Sequence, residues 1–182
     1  MTNRHTTDFA LERIKQVGPP YIHLLVADPG TAYEGSWLLN KEGLCARLMR
    51  AKHMRTFAGL YTETSAALQF PDYFGYNWAA LDECLADLMW LPANGYVLLI
   101  TDASQILEEE KELDNFEALV ALATGAADEF SRPVELGEWW DRPALPYHLV
   151  LQEQTENVSA IEQRLNAAGI IFTRLNRTEP EG

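Results

Sequence analysis

The run Tyr-Val-Leu-Leu-Ile at residues 96–100 constrains the fold more than any other feature of the sequence. It follows the turn-forming residues Pro-Ala-Asn-Gly at 92–95, which end the element before it. A strand without a polar face needs cover on both sides, as the central strands of parallel sheets have. The run therefore predicts a central strand in a sheet that is covered on both faces.

Strand-like and helix-like segments alternate along the rest of the chain. Short apolar or alternating runs predict further strands near 21–27, 44–50, 146–152 and 170–175. Apolar residues at helical spacing predict helices from about 57 to a stop at Pro71, from about 78, from Asp114 and over 157–169. Such alternation is typical of an α/β domain, and we expect a small, mainly parallel sheet packed by helices.

The helix that begins near residue 78 has one clear buried stripe. Leu81, Cys84, Leu85 and Leu88 stand at the spacing of a single helix face. Asn77 precedes the helix and is a good N-cap, because its side chain accepts from a free amide of the first turn. The acidic residues of the same segment therefore point away from the core.

The charge of the chain is unevenly distributed. The net charge is −13, but residues 71–182 alone hold 21 Asp and Glu against 6 Lys and Arg. Such a surface repels the phosphates of nucleic acids and attracts basic proteins. An ordinary solubilising surface has the same composition, so the charge alone leaves both interpretations open.

The remaining composition favours a reduced cytoplasmic protein without a membrane segment. The sequence has no apolar run of the ~20 residues that a membrane span needs, and its first residues lack the apolar core of a secretory signal. Cys45 and Cys84 are far apart and fit two free core thiols better than a disulfide or a metal site. We expect no membrane and no nucleic acid among the partners.

One segment resembles a known family. The stretch FPDYFGYNWAALDECLADL at 70–88, with GYVLLI and PYHLVLQ after it, resembles the barstar family of intracellular inhibitors of barnase-type ribonucleases. The positions that carry the resemblance are Pro71, Tyr73, Phe74, Gly75, Asn77, Ala80, Leu81 and Cys84. The resemblance covers roughly 44–152 and implies a barstar-like domain there. Residues 1–43 are then an N-terminal extension with one strand, and 153–182 a C-terminal helix-strand extension on the same domain.

The resemblance implies a function in protein binding. Carboxylates on a helix end and aromatic side chains on the preceding loop would fill the basic active site of a ribonuclease in place of phosphates. The implied partner is a basic ribonuclease or another toxin protein, and the implied role is that of an immunity protein. The implied partner-binding residues are Tyr73, Gly75, Asn77, Trp78, Ala79 and Glu83. No catalytic residue, metal or cofactor is expected, and the oligomeric state stays open.

Two positions depart from the family pattern. Ala79 stands where the family usually has an acid, and Asp82 stands where an aromatic residue is common. Residues 79 and 83 share a helix face, so the usual pair of acids is half missing. These departures favour an alternative, a barstar-fold binding module whose partner is not a ribonuclease.

Several residues have a structural explanation beside the functional one. Gly75 is expected at a positive φ, and Asn77 as a cap alone. Trp139 and Trp140, in the irregular segment 132–145, are expected to cover the core. His148 lies in a strand pattern and is expected as a satisfied core histidine.

The sequence carries no pattern typical of an enzyme site. Its histidines show no metal-ligand spacing, and no Gly-rich phosphate loop or nucleophile elbow is present. We therefore do not expect an enzyme.

Overall fold

The computed structural model describes residues 12–110 and 114–175. Strands β1 (Ile22–Val26), β2 (Cys45–Arg50), β3 (Tyr96–Thr101), β4 (Tyr147–Glu153) and β5 (Phe172–Leu175) form the sheet found in these residues. Their order is β2-β3-β4-β1-β5, and every neighbouring pair is parallel. The predicted α/β fold with a mainly parallel sheet is confirmed.

Helices cover both faces of this sheet. They are α1 (Pro29–Lys41), α2 (Phe57–Leu68), α3 (Trp78–Asp87), α4 (Asp114–Phe130) and α5 (Val158–Ala167). Side chains of α2, α3, α4 and α5 share one apolar cluster with one side of the sheet, which we call the α2–α5 face. Side chains of α1 share a second cluster with the other side, the α1 face. All six residues of β3 are buried between the two, as the apolar run predicts.

Most helix ends fall where the sequence places them. Helix α2 begins at Phe57 and ends at Leu68, three residues before Pro71. Helix α5 ends just before Gly169, whose φ of +66° suits a residue without a side chain. The expected capping by the Asp114 side chain lies outside the described residues, as do residues 1–11, 111–113 and 176–182. Among the described helices, none is long and apolar enough to cross a lipid bilayer.

Helix α1 is an element that we did not predict. The carboxylate of Asp28 accepts from the backbone N–H of Thr31 at 3.2 Å, and Pro29 occupies the first helical position. Both features favour a helix start, because Pro has no N–H to leave unpaired there. Ala32 and Leu39 are its fully buried residues, and they pack on the α1 face. The N-terminal segment therefore contributes a helix as well as the expected strand.

Strands β1 and β5 extend the sheet beyond β4. Strand β1 lies between β4 and β5, so both chain extensions join the same edge. At the opposite edge, which is formed by β2, the side chain of Asn40 hydrogen-bonds the backbone N–H and carbonyl oxygen of Ala46. Its Nδ2 donates to the carbonyl oxygen of Ala46 at 2.9 Å, and its Oδ1 accepts from the N–H of Ala46 at 3.2 Å. The N–H of Arg50 on the same edge donates to Glu63.

Two buried histidines join β1 to β4 and β5. His148 Nε2 donates to the carbonyl oxygen of Gln16 at 2.8 Å, so its Nδ1 accepts from His23 Nε2 at 3.0 Å. His23 Nδ1 accepts in turn from Thr173 Oγ1 at 2.6 Å. Burial is the main cause that lowers the pKa of both rings, that of His23 to about 3. Both rings are therefore neutral at pH 7, and His148 is a satisfied core histidine, as expected.

Candidate functional site

The loop 70–77 is held in place by one buried aromatic ring. Phe74 is only 5% exposed, and its ring contacts Phe70 at a centroid distance of 4.8 Å and Tyr61 of α2 at 6.3 Å, both edge to face. Pairs in this geometry add to the stability gained by burial alone. Phe74 therefore belongs to the core. The residues on either side of it are exposed.

Trp78 anchors the start of α3. Its ring packs edge to face against Phe57 at 5.7 Å and Tyr61 at 5.9 Å, so part of the indole is buried between α2 and α3. Both contacted rings belong to helix α2. Trp78 therefore serves the fold, while its remaining exposed part borders the surface.

Gly75 and Asn77 form the turn that starts α3. Gly75 does not have a positive φ, so that expectation is wrong; the residue with one is Tyr76, at +50°. A Cβ at Gly75 would lie 2.9 Å from Asn77 Nδ2, which donates to the Gly75 carbonyl oxygen at 3.0 Å. Asn77 Oδ1 accepts from the N–H of Ala80 at 3.0 Å, which is the expected N-cap. The glycine leaves room for this cap.

An exposed tyrosine lies near two exposed acids of α3. Tyr73 is 61% exposed, and Glu83 and Asp87, one helical turn apart, are exposed as well. The pKa of the Tyr73 hydroxyl is raised, first by partial exclusion of water and then by the charges of Cys84, Asp87 and Glu83. We call Tyr73, Glu83 and Asp87 the acidic face.

The acids of α3 are free within the described part of the chain. No ion pair found there involves Asp82, Glu83 or Asp87. Ala79, one turn before Glu83, is exposed as well. Its methyl side chain adds no charge to this part of the helix surface. Within residues 12–110 and 114–175, the acidic face therefore has no counter-ion.

The acids at 108–110 have structural contacts instead. Glu110 Oε1 accepts from the backbone N–H of Phe57 at 2.9 Å, at the start of α2. Arg55 forms ion pairs with both Glu108 and Glu109. Glu110 therefore stabilises the N-terminus of α2, while the charges of Glu108 and Glu109 are partly neutralised by Arg55.

Two aromatic features of the surface go beyond the sequence analysis: Tyr76 was not considered there, and Trp139 and Trp140 were placed wrongly. Tyr76 is exposed beside Phe74, at a centroid distance of 4.9 Å, and adds a second tyrosine to the loop. Trp139 is 78% and Trp140 42% exposed, so the expectation that both cover the core is wrong. Their segment is held by hydrogen bonds of its own, and the indoles are not needed to close the core.

The described residues do not form a cluster that would hold a metal. No group of three or more His, Cys, Asp or Glu side chains is close enough together there. His23 and His148 meet although they are 125 residues apart, but both are buried and their ring nitrogens are occupied.

Comparison with known proteins identifies one family. The family model described as Barstar (barnase inhibitor) matches residues 46–152, which is more than half of the chain. The match contains the loop 70–77, helix α3 and the sheet strands from β2 to β4. It begins and ends close to the segment in which the sequence shows the resemblance. No curated protein sequence matches the chain.

Solved structures show a wider likeness of fold. Two structures of the Aeropyrum pernix ORC2 protein, one of its ADPNP-ADP complexes and one of its ADP form, superpose with TM-scores of 0.56 and 0.58 at 11% sequence identity. They cover 94% and 92% of this chain, which spans 45% of their length in each case. At this identity the likeness concerns the α/β fold alone.

Proposed function

The chain belongs to the Barstar (barnase inhibitor) family, and from this premise we propose that it binds a ribonuclease and blocks its active site. The complex would be non-covalent and would need no cofactor and no catalytic group of this chain. The observation that carries the proposal is the acidic face, where Tyr73, Glu83 and Asp87 are exposed and neither acid forms an ion pair within the described residues. In this role the chain would act as an immunity protein against a toxin.

The acidic face suits a cleft that binds phosphates. A ribonuclease holds its substrate with cationic side chains, and a carboxylate can accept two hydrogen bonds from one guanidinium. Of the two acids in the acidic face, Glu83 is nearer the start of α3, and Tyr73 of the preceding loop offers an aromatic anchor. The opposite charges would speed the encounter, while buried pairs would slow dissociation.

The surface is also preformed. Phe74, Trp78 and the Asn77 cap fix the loop and the helix start in the unbound protein. A rigid surface loses little conformational entropy on binding, so more of the interaction energy is available for affinity. This favours inhibition by direct occupation of an active site.

A second function is favoured by Ala79. The residue leaves a neutral gap on the acidic face, one turn before Glu83, and Asp82 projects from a neighbouring part of the helix. A barstar-fold module that binds a basic protein other than a ribonuclease would have the same scaffold with a changed surface. The two proposals differ in whether the bound partner loses ribonuclease activity.

The experiment measures inhibition of a barnase-type ribonuclease by the purified chain. We expect the wild type to inhibit, and Tyr73→Ala and Glu83→Ala each to weaken inhibition at least about tenfold, which corresponds to ~1.4 kcal/mol. Glu34→Ala is the matched control, because Glu34 is an exposed acid on α1, on the other side of the sheet. Inhibition that is equally strong in all variants would contradict the proposed surface.

The reverse substitution separates the two functions. Ala79→Asp restores the usual acid, and we expect it to strengthen inhibition if the acidic face still fits a ribonuclease. If neither the wild type nor Ala79→Asp inhibits, while the protein binds another basic partner through Tyr73, the second function is supported. If Ala79→Asp alone inhibits, the partner has changed but the scaffold has kept the inhibitor geometry.

A further inference from the structure

The segment 132–145, which we call the Trp loop, exposes three large apolar side chains together. Leu136 is 71%, Trp139 78% and Trp140 42% exposed, and the two indoles meet edge to face at a centroid distance of 5.3 Å. Single exposed apolar residues are common, but a cluster of this size marks a contact site in many soluble proteins. Tryptophan is also the residue most enriched among the anchors of protein interfaces.

Hydrogen bonds hold the tip of the Trp loop in one conformation. The carboxylate of Asp141 accepts from the backbone N–H of Leu136 at 3.0 Å and of Gly137 at 2.8 Å. These bonds are the main cause that lowers the pKa of Asp141. The N–H of Asp141 donates to the Glu138 carbonyl oxygen, which closes the turn. Leu136 and the two indoles therefore project from a fixed turn.

Arg142 fixes the base of the same loop. Its backbone pairs with Val134 in both directions, at 2.8 and 3.1 Å. Its guanidinium lies 4.4 Å from the centre of the Phe130 ring and donates to the carbonyl oxygens of Glu129 and Arg132. In the four-residue run Trp-Trp-Asp-Arg, the two Trp side chains are thus exposed, and the Asp and Arg side chains hold the loop in place by hydrogen bonds.

The charges at the tip of the Trp loop narrow the class of partner. Glu135 and Glu138 are exposed next to the apolar cluster, and among the described residues neither forms an ion pair. This acidic rim repels nucleic acid and anionic lipid. A second copy of this chain is also disfavoured, because the net charge of −13 would be doubled in the pair. A protein with an apolar pocket bordered by Lys or Arg fits both the cluster and its rim.

The Trp loop is also close to the C-terminal end of α3. Tyr96 at the start of β3 is the link. Its ring packs on Phe130, which also lies under the Arg142 guanidinium, at a centroid distance of 5.1 Å. Its hydroxyl donates to the carbonyl oxygen of Leu91 at 2.9 Å, four residues after the end of α3. Helix α4, which leads into the loop, packs against α3. The acidic face and the base of the loop therefore lie on neighbouring parts of one side of the molecule.

We propose that the Trp loop is a second contact element for the basic protein that the acidic face binds, with Trp139 and Trp140 entering an apolar pocket beside the partner's basic cleft. The inference rests on the proposed function for the identity of that partner. The two elements would act on different rates. The acids would speed association with the partner, and the indoles would slow its dissociation.

The test uses a catalytically inactive barnase-type ribonuclease as the probe and measures association and dissociation rates at low and high salt. We expect the double variant Trp139→Ala/Trp140→Ala to dissociate at least about tenfold faster with an unchanged salt dependence of association. We expect Tyr73→Ala/Glu83→Ala to reduce that salt dependence. Trp37→Ala is the matched control and should change neither rate, because Trp37 is an exposed indole on α1.

The outcomes separate this inference from the proposed function. Normal binding by the Trp139/Trp140 variant, with weak binding by the Tyr73/Glu83 variant, overturns the inference and leaves the inhibitor proposal intact. The reverse result supports the Trp loop and contradicts the acidic face. Melting temperatures of all variants show whether any loss of binding comes from unfolding.

A probe without ribonuclease structure decides the remaining case. If the wild type does not bind the ribonuclease, the inhibitor proposal fails for that class, and a synthetic peptide of alternating Lys and Leu replaces it. We then expect at least a tenfold preference for this peptide over polylysine of equal length, lost in Trp139→Ala/Trp140→Ala and kept in Tyr73→Ala/Glu83→Ala. Equal affinity for both peptides would overturn the inference.

Discussion

The two faces of the sheet are closed by different kinds of interaction. On the α2–α5 face, apolar side chains of four helices and of the strands form a continuous cluster. On the α1 face the apolar cluster is smaller, and β4 turns two polar side chains, His148 and Gln152, toward it. His148 binds the carbonyl oxygen of Gln16 and Gln152 that of Ala27, so both hold the N-terminal segment.

This difference separates the segment that matches the family from the segment that precedes it. The helices of the matched segment are held by burial, which depends on shape and volume. The N-terminal segment is held in part by buried hydrogen bonds, which depend on the protonation state of the groups that make them. We therefore expect substitutions that remove buried volume to destabilise the α2–α5 face most. We expect low pH to destabilise the α1 face most.

The largest effect is expected from removing volume on the α2–α5 face. Phe74→Ala should lower the free energy of unfolding by about 3–5 kcal/mol, because it removes the ring that holds the loop 70–77 against Phe70 and Tyr61. Chemical denaturation at pH 7 measures the change. Tyr73→Ala, next to it but exposed, should change stability by less than about 0.5 kcal/mol. Equal effects of the two substitutions would mean that the loop is not anchored by Phe74.

The next effect is expected from acid on the α1 face. The folded pKa of His23 is lowered to about 3, so the stability from its neutral form is complete above its ordinary value of 6.5 and is lost as the pH falls toward 3. Between pH 7 and pH 5 this amounts to about 2 kcal/mol. Protonation of His148 Nδ1 would in addition place a hydrogen against the His23 Nε2–H.

Denaturation curves at several pH values measure this loss, and variants assign it. His23→Gln should flatten the pH dependence between 6.5 and 4, because it removes a group that binds a proton only on unfolding. His53→Gln is the matched control, since His53 is exposed. A pH dependence that is identical in wild type and His23→Gln would contradict the role of the pair.

A smaller effect is expected at the start of α3. Asn77→Ala should cost about 1 kcal/mol in chemical denaturation, because the N–H of Ala80 loses its acceptor. Asn77→Asp keeps an acceptor at the same place and should recover most of the loss. If both substitutions destabilise equally, the Asn77 side chain matters through its bond to the Gly75 carbonyl oxygen instead.

The smallest effect is a gain. Ala79→Asp puts a negative charge in the first turn of α3, where the helix dipole favours it by about 0.3–1 kcal/mol. The gain should shrink in high salt, as a surface charge effect does. Ala86→Asp places the same charge in the last turn, and it should be neutral or unfavourable. A loss of stability with Ala79→Asp would show that the face of α3 is packed more tightly than its exposure indicates.

The α2–α5 face was predictable from the sequence because its signals are local. The apolar run at 96–100, the stripe of α3 and the cap at Asn77 each lie within a few residues, so periodicity and turn chemistry are enough to place them. The buried aromatic contacts of Trp78 link separate helices, and no spacing rule could assign them.

The α1 face was less predictable because its contacts join distant segments. Helix α1 contains Gly30 and Gly35 and lacks a regular apolar stripe. The N-cap Asp28 and the following Pro29 are therefore its main sequence signals. The His23–His148 pair forms only once β1 is placed beside β4. The exposure of Trp139 was missed for a related reason, since Asp141 and Arg142 replace the core as the support of the loop.

The side chain of Asn40 has a consequence for the behaviour of the protein in concentrated solution. A free strand edge is a template on which further chains can assemble into fibres or exchange strands. The Asn40 amide donates to the carbonyl oxygen of Ala46 and accepts from its N–H. It thus makes the two hydrogen bonds that the backbone of an added strand would make with β2 at this residue. One polar side chain thus protects that edge of the sheet against aggregation, and growth of the sheet by strand addition is hindered there.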